Sequence, residues 1–99
     1  MPEHDAHPIV RNGEMSRFEL VEAPGQAHLN YHLTGQRLTL VHTEVAHELA
    51  GRGIASELLR TALEFGEHQG LEIVPVCPFT SGWLERHPTR AAALDLGSP

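Results

Sequence analysis

The stretch His42-Thr-Glu-Val-Ala-His-Glu-Leu-Ala-Gly-Arg-Gly-Ile-Ala-Ser56 constrains the fold of this chain more than any other. It has the pattern of a strand end, a glycine turn and the start of an amphipathic helix. Gly51 and Gly53 remove side chains where a backbone turns sharply or is approached closely. Behind them Ile54, Leu58, Leu59, Ala62, Leu63 and Gly66 recur at helical spacing. The first turn of such a helix carries free N–H groups and the positive end of the macrodipole. A glycine turn feeding that end suits a phosphate or pyrophosphate. The spacing is neither a dinucleotide fingerprint nor a P-loop. Taken alone, the stretch is equally compatible with a plain turn that holds two glycines.

The flanks add strands on both sides. Ser16–Glu22 alternates around Phe18 and Leu20 and reads as a strand. Pro24-Gly25 marks a turn. Ala27, Leu29, Tyr31 and Leu33 alternate with Gln26, His28, Asn30 and His32, the pattern of a half-buried strand. Thr34-Gly35 allows a tight hairpin into Leu38, Leu40, Val41 and Val45. These three strands predict an antiparallel meander. Met1 to about Met15 reads as a loose lead-in with room for a short edge strand at Ile9-Val10.

The helix is expected from about Arg52 to Gln69, stopped by Gly70. Leu71–Val76 is short, apolar and β-branched, a further strand, so the helix becomes a right-handed parallel crossover. Pro75 has no N–H for a ladder and suits a strand that peels away from its parallel neighbour. Phe79–His87 predicts a short helix capped by Thr80 or Ser81 and ended by Pro88, and Ala91–Leu96 a last turn. The expected class is α/β with a mixed sheet: a meander, a βαβ crossover with splayed parallel strands, and a short C-terminal helix.

Ninety-nine residues hold one domain with one modest core. No apolar run approaches the roughly 20 residues of a membrane span. Met1–Pro8 lacks the basic and apolar regions of a signal peptide, so a cytoplasmic location is expected. A single cysteine, Cys77, excludes an internal disulfide. Thirteen acidic against seven basic residues argue against nucleic acid and for a neutral or cationic partner. Composition says nothing of oligomeric state.

In open sheets with parallel crossovers, ligands bind beyond the carboxyl ends of the strands. Those ends are His42–Val45 and Val76–Phe79, so one crevice is expected to collect His42, Glu44, the glycine turn and Cys77. His42 and Glu44 share a side of an ideal strand and suit a general base or a hydrogen-bonded pair at the sheet end. Cys77 precedes a predicted helix start, whose field favours a thiolate. It equally fits a small buried apolar residue. His42-x-Glu44 with Pro75-x-Cys77 is close to a zinc-deaminase signature, which needs a second cysteine where Thr80 stands. His42, His47 and Glu48 leave a metal ligand set incomplete, so no metal is expected.

Gly51-Arg-Gly-Ile-Ala55, followed by Leu58-Leu59, resembles motif A of the GNAT superfamily of acetyltransferases. With His42-Thr-Glu-Val45 and Cys77-Pro-Phe79…Trp83-Leu84…His87-Pro88, the chain is similar to small single-domain GNAT-like proteins of about this length. The likeness runs over roughly Ser16 to Pro88. Ala50 stands where motif A usually has Gln or Arg; the two small positions are kept. The resemblance implies acetyl-CoA, its pantetheine along the strand of Thr43 and Val45. It puts the pyrophosphate on Gly51, Arg52, Gly53, Ile54, Ala55 and Ser56. It implies acetyl transfer to an amine, carried by a small molecule or a protein. Cys77 would then accept the acetyl group or protonate the departing thiolate, with His42 or Glu44 as base. Larger family members often use a tyrosine as that acid, whereas Tyr31 is expected in the core, with Phe79 and Trp83. His87 suits either a helix C-terminus or coenzyme A. A non-catalytic coenzyme-A sensor is the alternative function.

Overall fold

A computed structural model describes residues 7–99. The start of the lead-in, residues 1–6, lies outside the described residues. Five strands and three α-helices follow in the order β1 (Ile9–Asn12), β2 (Arg17–Leu20), β3 (Ala27–Thr34), β4 (Arg37–Val45), α1 (Ile54–His68), β5 (Glu72–Pro75), α2 (Pro78–Arg86) and α3 (Pro88–Ala92). A 3-10 turn, His47–Leu49, precedes the glycine turn. The sheet order is β1-β2-β3-β4-β5. β1 to β4 are antiparallel, and β5 joins β4 in parallel after the α1 crossover.

The expected meander is therefore one strand longer. The edge strand at Ile9-Val10 extends to Asn12 and pairs with β2 from Ile9↔Leu20 to Asn12↔Arg17. The Thr34-Gly35 hairpin is present: Thr34 faces Arg37 across Gly35-Gln36. Gly35 takes φ 60°, the left-handed region that glycine enters without a Cβ penalty.

Alternation decides which face is covered. Phe18, Leu20, Leu29, Tyr31, Leu38 and Leu40 are buried against Ile54, Leu58, Leu59, Ala62 and Leu63 of α1. Burying each large aliphatic side chain here contributes about 1.5–3 kcal/mol. Gly66 lets α1 approach the sheet closely: a Cβ there would stand 2.4 Å from Ile73 Cδ1. Tyr31 lies in this core as expected, and Arg11 Nη1 donates to its hydroxyl at 3.1 Å. Trp83 is buried too, while Phe79 is partly buried against the core.

Three boundaries differ from expectation. α1 begins at Ile54, because Gly53 takes φ 76° and serves as its cap. α2 begins at Pro78 with Cys77 as its cap, not Thr80 or Ser81. Proline is well placed at a first helical position, where an N–H would be unpaired anyway. Pro88 likewise starts α3, and Leu96 beyond it bridges Ile73 instead of ending a helical turn.

Candidate functional site

The site forms where β4 and β5 part. Their pairing runs from Arg37↔Glu72 to Leu40↔Pro75 and stops. Val76 and Cys77 both donate their N–H to Leu40 O, at 3.1 and 2.9 Å, so the β5 chain turns away at Pro75. β4 continues to Val45, still paired with β3 on its other side. Among the described residues, the β4 edge beyond Leu40 thus has no strand beside it. This is the fork that Pro75 predicts.

β4 also carries an irregularity that sequence alternation hides. Asn30 faces His42 but Tyr31 faces Leu40, so Val41 is an extra residue. Such a bulge shifts every later side chain to the opposite face. Counting by twos from Leu38 and Leu40 would turn His42 and Glu44 toward α1. Instead Thr43 and Val45 occupy that face, opposite Leu29 and Ala27. His42 and Glu44 stand on the open face, opposite Asn30 and His28. The parity change in the apolar positions, Leu38 and Leu40 against Val41 and Val45, is the signal that marks it.

On that open face Glu44 Oε1 lies 3.5 Å from His28 Nε2 and 3.8 Å from His42 Nε2. His28 Nδ1 donates to Pro24 O at 3.3 Å, since a carbonyl can only accept. His28 is a partner of Glu44 that a single-strand pattern cannot reveal; cross-strand register can.

Cys77 meets a different neighbour. It is buried, and its Sγ lies 3.5 Å from Thr43 Oγ1 across the fork. Burial pushes the thiol up. The Thr43 hydroxyl, the backbone N–H groups of Thr80 and Phe79, and the Thr80 hydroxyl together outweigh it and hold the thiol below the ordinary value of 9.0. The sulfur is thus served by the start of α2 and by hydroxyls. The fork brings Cys77 and Thr43 together; His42 and Glu44 turn to the other face.

The glycine turn follows the carboxyl end of β4, after Val45. Gly51 and Gly53 have φ of 81° and 76°, and a Cβ on either would meet nothing within 4 Å. Their conformation, not crowding by the protein, calls for glycine. Among the described residues α1 has no side-chain cap, and its first internal bond is Glu57 N–H to Gly53 O at 3.1 Å. The N–H groups of Ile54, Ala55 and Ser56 therefore precede the helical ladder. Ile54 itself is buried, Ala55 and Ser56 are half-exposed, and Arg52 is exposed on the turn.

Further along, Trp83 stacks on His87 with ring centroids 3.8 Å apart, and the Arg60 guanidinium lies 5.8 Å from the Trp83 ring centre. His87 Nδ1 donates to Trp83 O at 2.7 Å, which fixes the ring at the C-terminal end of α2.

A strand fork beside an open glycine turn at a helix start defines the GNAT type of fold. A family model for GCN5-related N-acetyl-transferase matches residues 17–94. The chain belongs to that family and is an acyltransferase of the N-acetyltransferase kind. Among solved structures it is similar to a Staphylococcus aureus protein described as a GCN5-like N-acetyltransferase and determined by NMR. The TM-score is 0.70 at 22% identity, over 93% of this chain and 89% of that one. Among the described residues no helix is long and apolar enough to cross a membrane.

Proposed function

We propose that this acetyltransferase binds acetyl-CoA in the β4–β5 fork and passes the acetyl group to an amine by way of Cys77. One observation carries the reading: the unpaired β4 edge runs from the Cys77 sulfur at the fork to the glycine turn at the start of α1. Pantetheine is a chain of amides and can pair with such an edge as a strand would. Gly51–Ser56 then receives the pyrophosphate on free N–H groups, with Arg52 free to reach it.

The thioester carbon is delivered beside Cys77. The thiolate sulfur bonds to that carbon, and the C–S bond to coenzyme A breaks. The departing thiolate takes a proton from water. The amine then attacks acetyl-Cys77, loses its proton and re-forms the thiolate. Thioester exchange between two thiols is nearly balanced, so the intermediate is accessible. Glu44, with His28 and His42 beside it on the open face, suits the approach of a cationic amine toward the fork, and the proton that the amine loses passes to water. Family membership favours an enzyme over a coenzyme-A sensor.

Acetyl-CoA is expected to raise the melting temperature by mass action, far more than AMP or NAD. Protein held with acetyl-CoA and no amine should gain one acetyl group in intact mass, on Cys77, and Cys77→Ala should lack it. No thermal shift at millimolar acetyl-CoA removes the cofactor. Unchanged turnover in Cys77→Ala removes the covalent route.

A further inference from the structure

A buried hydroxyl beside Cys77 is used by neither the core nor the helix. Thr80 is fully buried, and its Oγ1 has no hydrogen-bond partner among the described residues. An unpaired buried hydroxyl costs about 1–3 kcal/mol. Valine has the same shape without that cost, so a threonine here points to a use beyond packing.

Its position suggests which. Cys77 is the cap of α2 and Pro78 its first residue, which puts Thr80 at the third helical position. A side chain there turns back toward the cap, as in a capping box. The Thr80 hydroxyl makes no well-formed bond to Sγ, yet it stands close enough to help hold the thiol low. A thiol offers a hydroxyl proton only a weak acceptor, whereas a thiolate is a strong one.

We propose that Thr80 is the positioning residue of the Cys77 nucleophile: its hydroxyl turns onto the sulfur when the proton leaves, and with Thr43 and the α2 N–H groups completes a dry cradle for the thiolate. The role rests on the Cys77 route proposed above. Acetylation of the sulfur withdraws the acceptor and leaves the hydroxyl unpaired again. Attack by the amine restores it as the C–S bond breaks, so the same hydroxyl favours the leaving group of the second step.

The test reads the sulfur without acetyl-CoA, through the pH profile of Cys77 alkylation by iodoacetamide. Thr80→Val is expected to react about tenfold more slowly at neutral pH, with its profile moved to higher pH. Thr80→Ser, which keeps the hydroxyl, should follow the parent. A Thr80→Val profile that overlays the parent, or a Thr80→Ser profile moved as far as Thr80→Val, overturns the proposal. If Thr80→Val does not fold, Thr80→Ala read against Thr80→Ser makes the same comparison. A Thr80 effect without any acetyl adduct on the parent supports the cradle and removes the acetyl route. An adduct without a Thr80 effect removes the cradle alone.

Discussion

Two helix starts flank the fork, and they are built in opposite ways. α1 begins at a left-handed glycine with no side-chain cap and open space around Gly51 and Gly53. α2 begins at buried Cys77, with Pro78 deleting one N–H and the N–H groups of Phe79 and Thr80 drawing the sulfur toward its charged form. Both ends offer the same field. The open one leaves it unclaimed among the described residues. The closed one applies it to the Cys77 sulfur. The difference is set by local sequence: Gly-Arg-Gly keeps the first start bare, and Cys-Pro-Phe-Thr fills the second.

The largest expected effect sharpens the open side of this comparison. Gly53→Val puts a branched side chain where the pyrophosphate is proposed to lie. It also strains a left-handed position, by about 1–2 kcal/mol or somewhat more for a β-branched residue. Gly35 supplies the control, because it too has a positive φ and open space, at the hairpin between β3 and β4. Gly53→Val and Gly35→Val should lose similar stability in denaturant titrations. Only Gly53→Val should lose acetyl-CoA, by more than about tenfold, in calorimetry on the folded protein. Equal affinity in both variants would place the phosphates away from the turn.

A smaller effect is expected on the closed side. Thr43→Val removes the hydroxyl 3.5 Å from Cys77 Sγ while keeping the shape and backbone of β4. Alkylation of Cys77 at neutral pH should slow by about threefold, the scale of one modest hydrogen bond. Acetyl-CoA affinity, if made on this strand by backbone groups, should fall much less. The two helix starts would then be separable, since Gly53→Val should act on affinity and Thr43→Val on the sulfur. Slower alkylation in Gly53→Val as well would show that the two ends are coupled.

How much of this was legible in sequence follows the range of the signals. The helix pattern from Ile54 to Gly66, the hairpin at Gly35 and the peeling strand at Pro75 are local, and each appears where its residues require. The bulge at Val41 is not local. It depends on how β3 and β4 align, and it alone moves His42 and Glu44 from the crevice side to the open face. The start of α2 departs from its expected place for a related reason. Thr80 and Ser81 are good caps by type. Ser81, however, donates its hydroxyl to Pro75 O at 3.0 Å and Thr80 is buried in the first turn, which leaves the cap to a residue of poorer propensity. Cys77 sits just past a strand end, as its sequence position implies, and Thr80 is a local neighbour in α2; the Thr43 hydroxyl, however, reaches it only across the fork from β4.

The smallest expected effect tests whether the closed start is a property of the folded state. The Cys77 thiol is held below its ordinary value of 9.0 in the folded protein and returns to that value on unfolding. Between the two values the unfolded chain binds more protons, so stability should rise with pH across that window. The contribution is complete above the ordinary thiol value and is lost as pH falls through the folded one. Burial opposes it and the hydroxyl and N–H donors prevail, so the slope is positive but shallow. Urea midpoints measured on either side of the window, for the parent and for Cys77→Ala, isolate it. The parent should gain stability relative to Cys77→Ala as pH increases, and Thr43→Val should gain less. Parallel curves for parent and Cys77→Ala would mean that the start of α2 does not favour the thiolate. A parent that loses ground with rising pH would mean that burial outweighs the donors, and that Cys77 is held as a thiol.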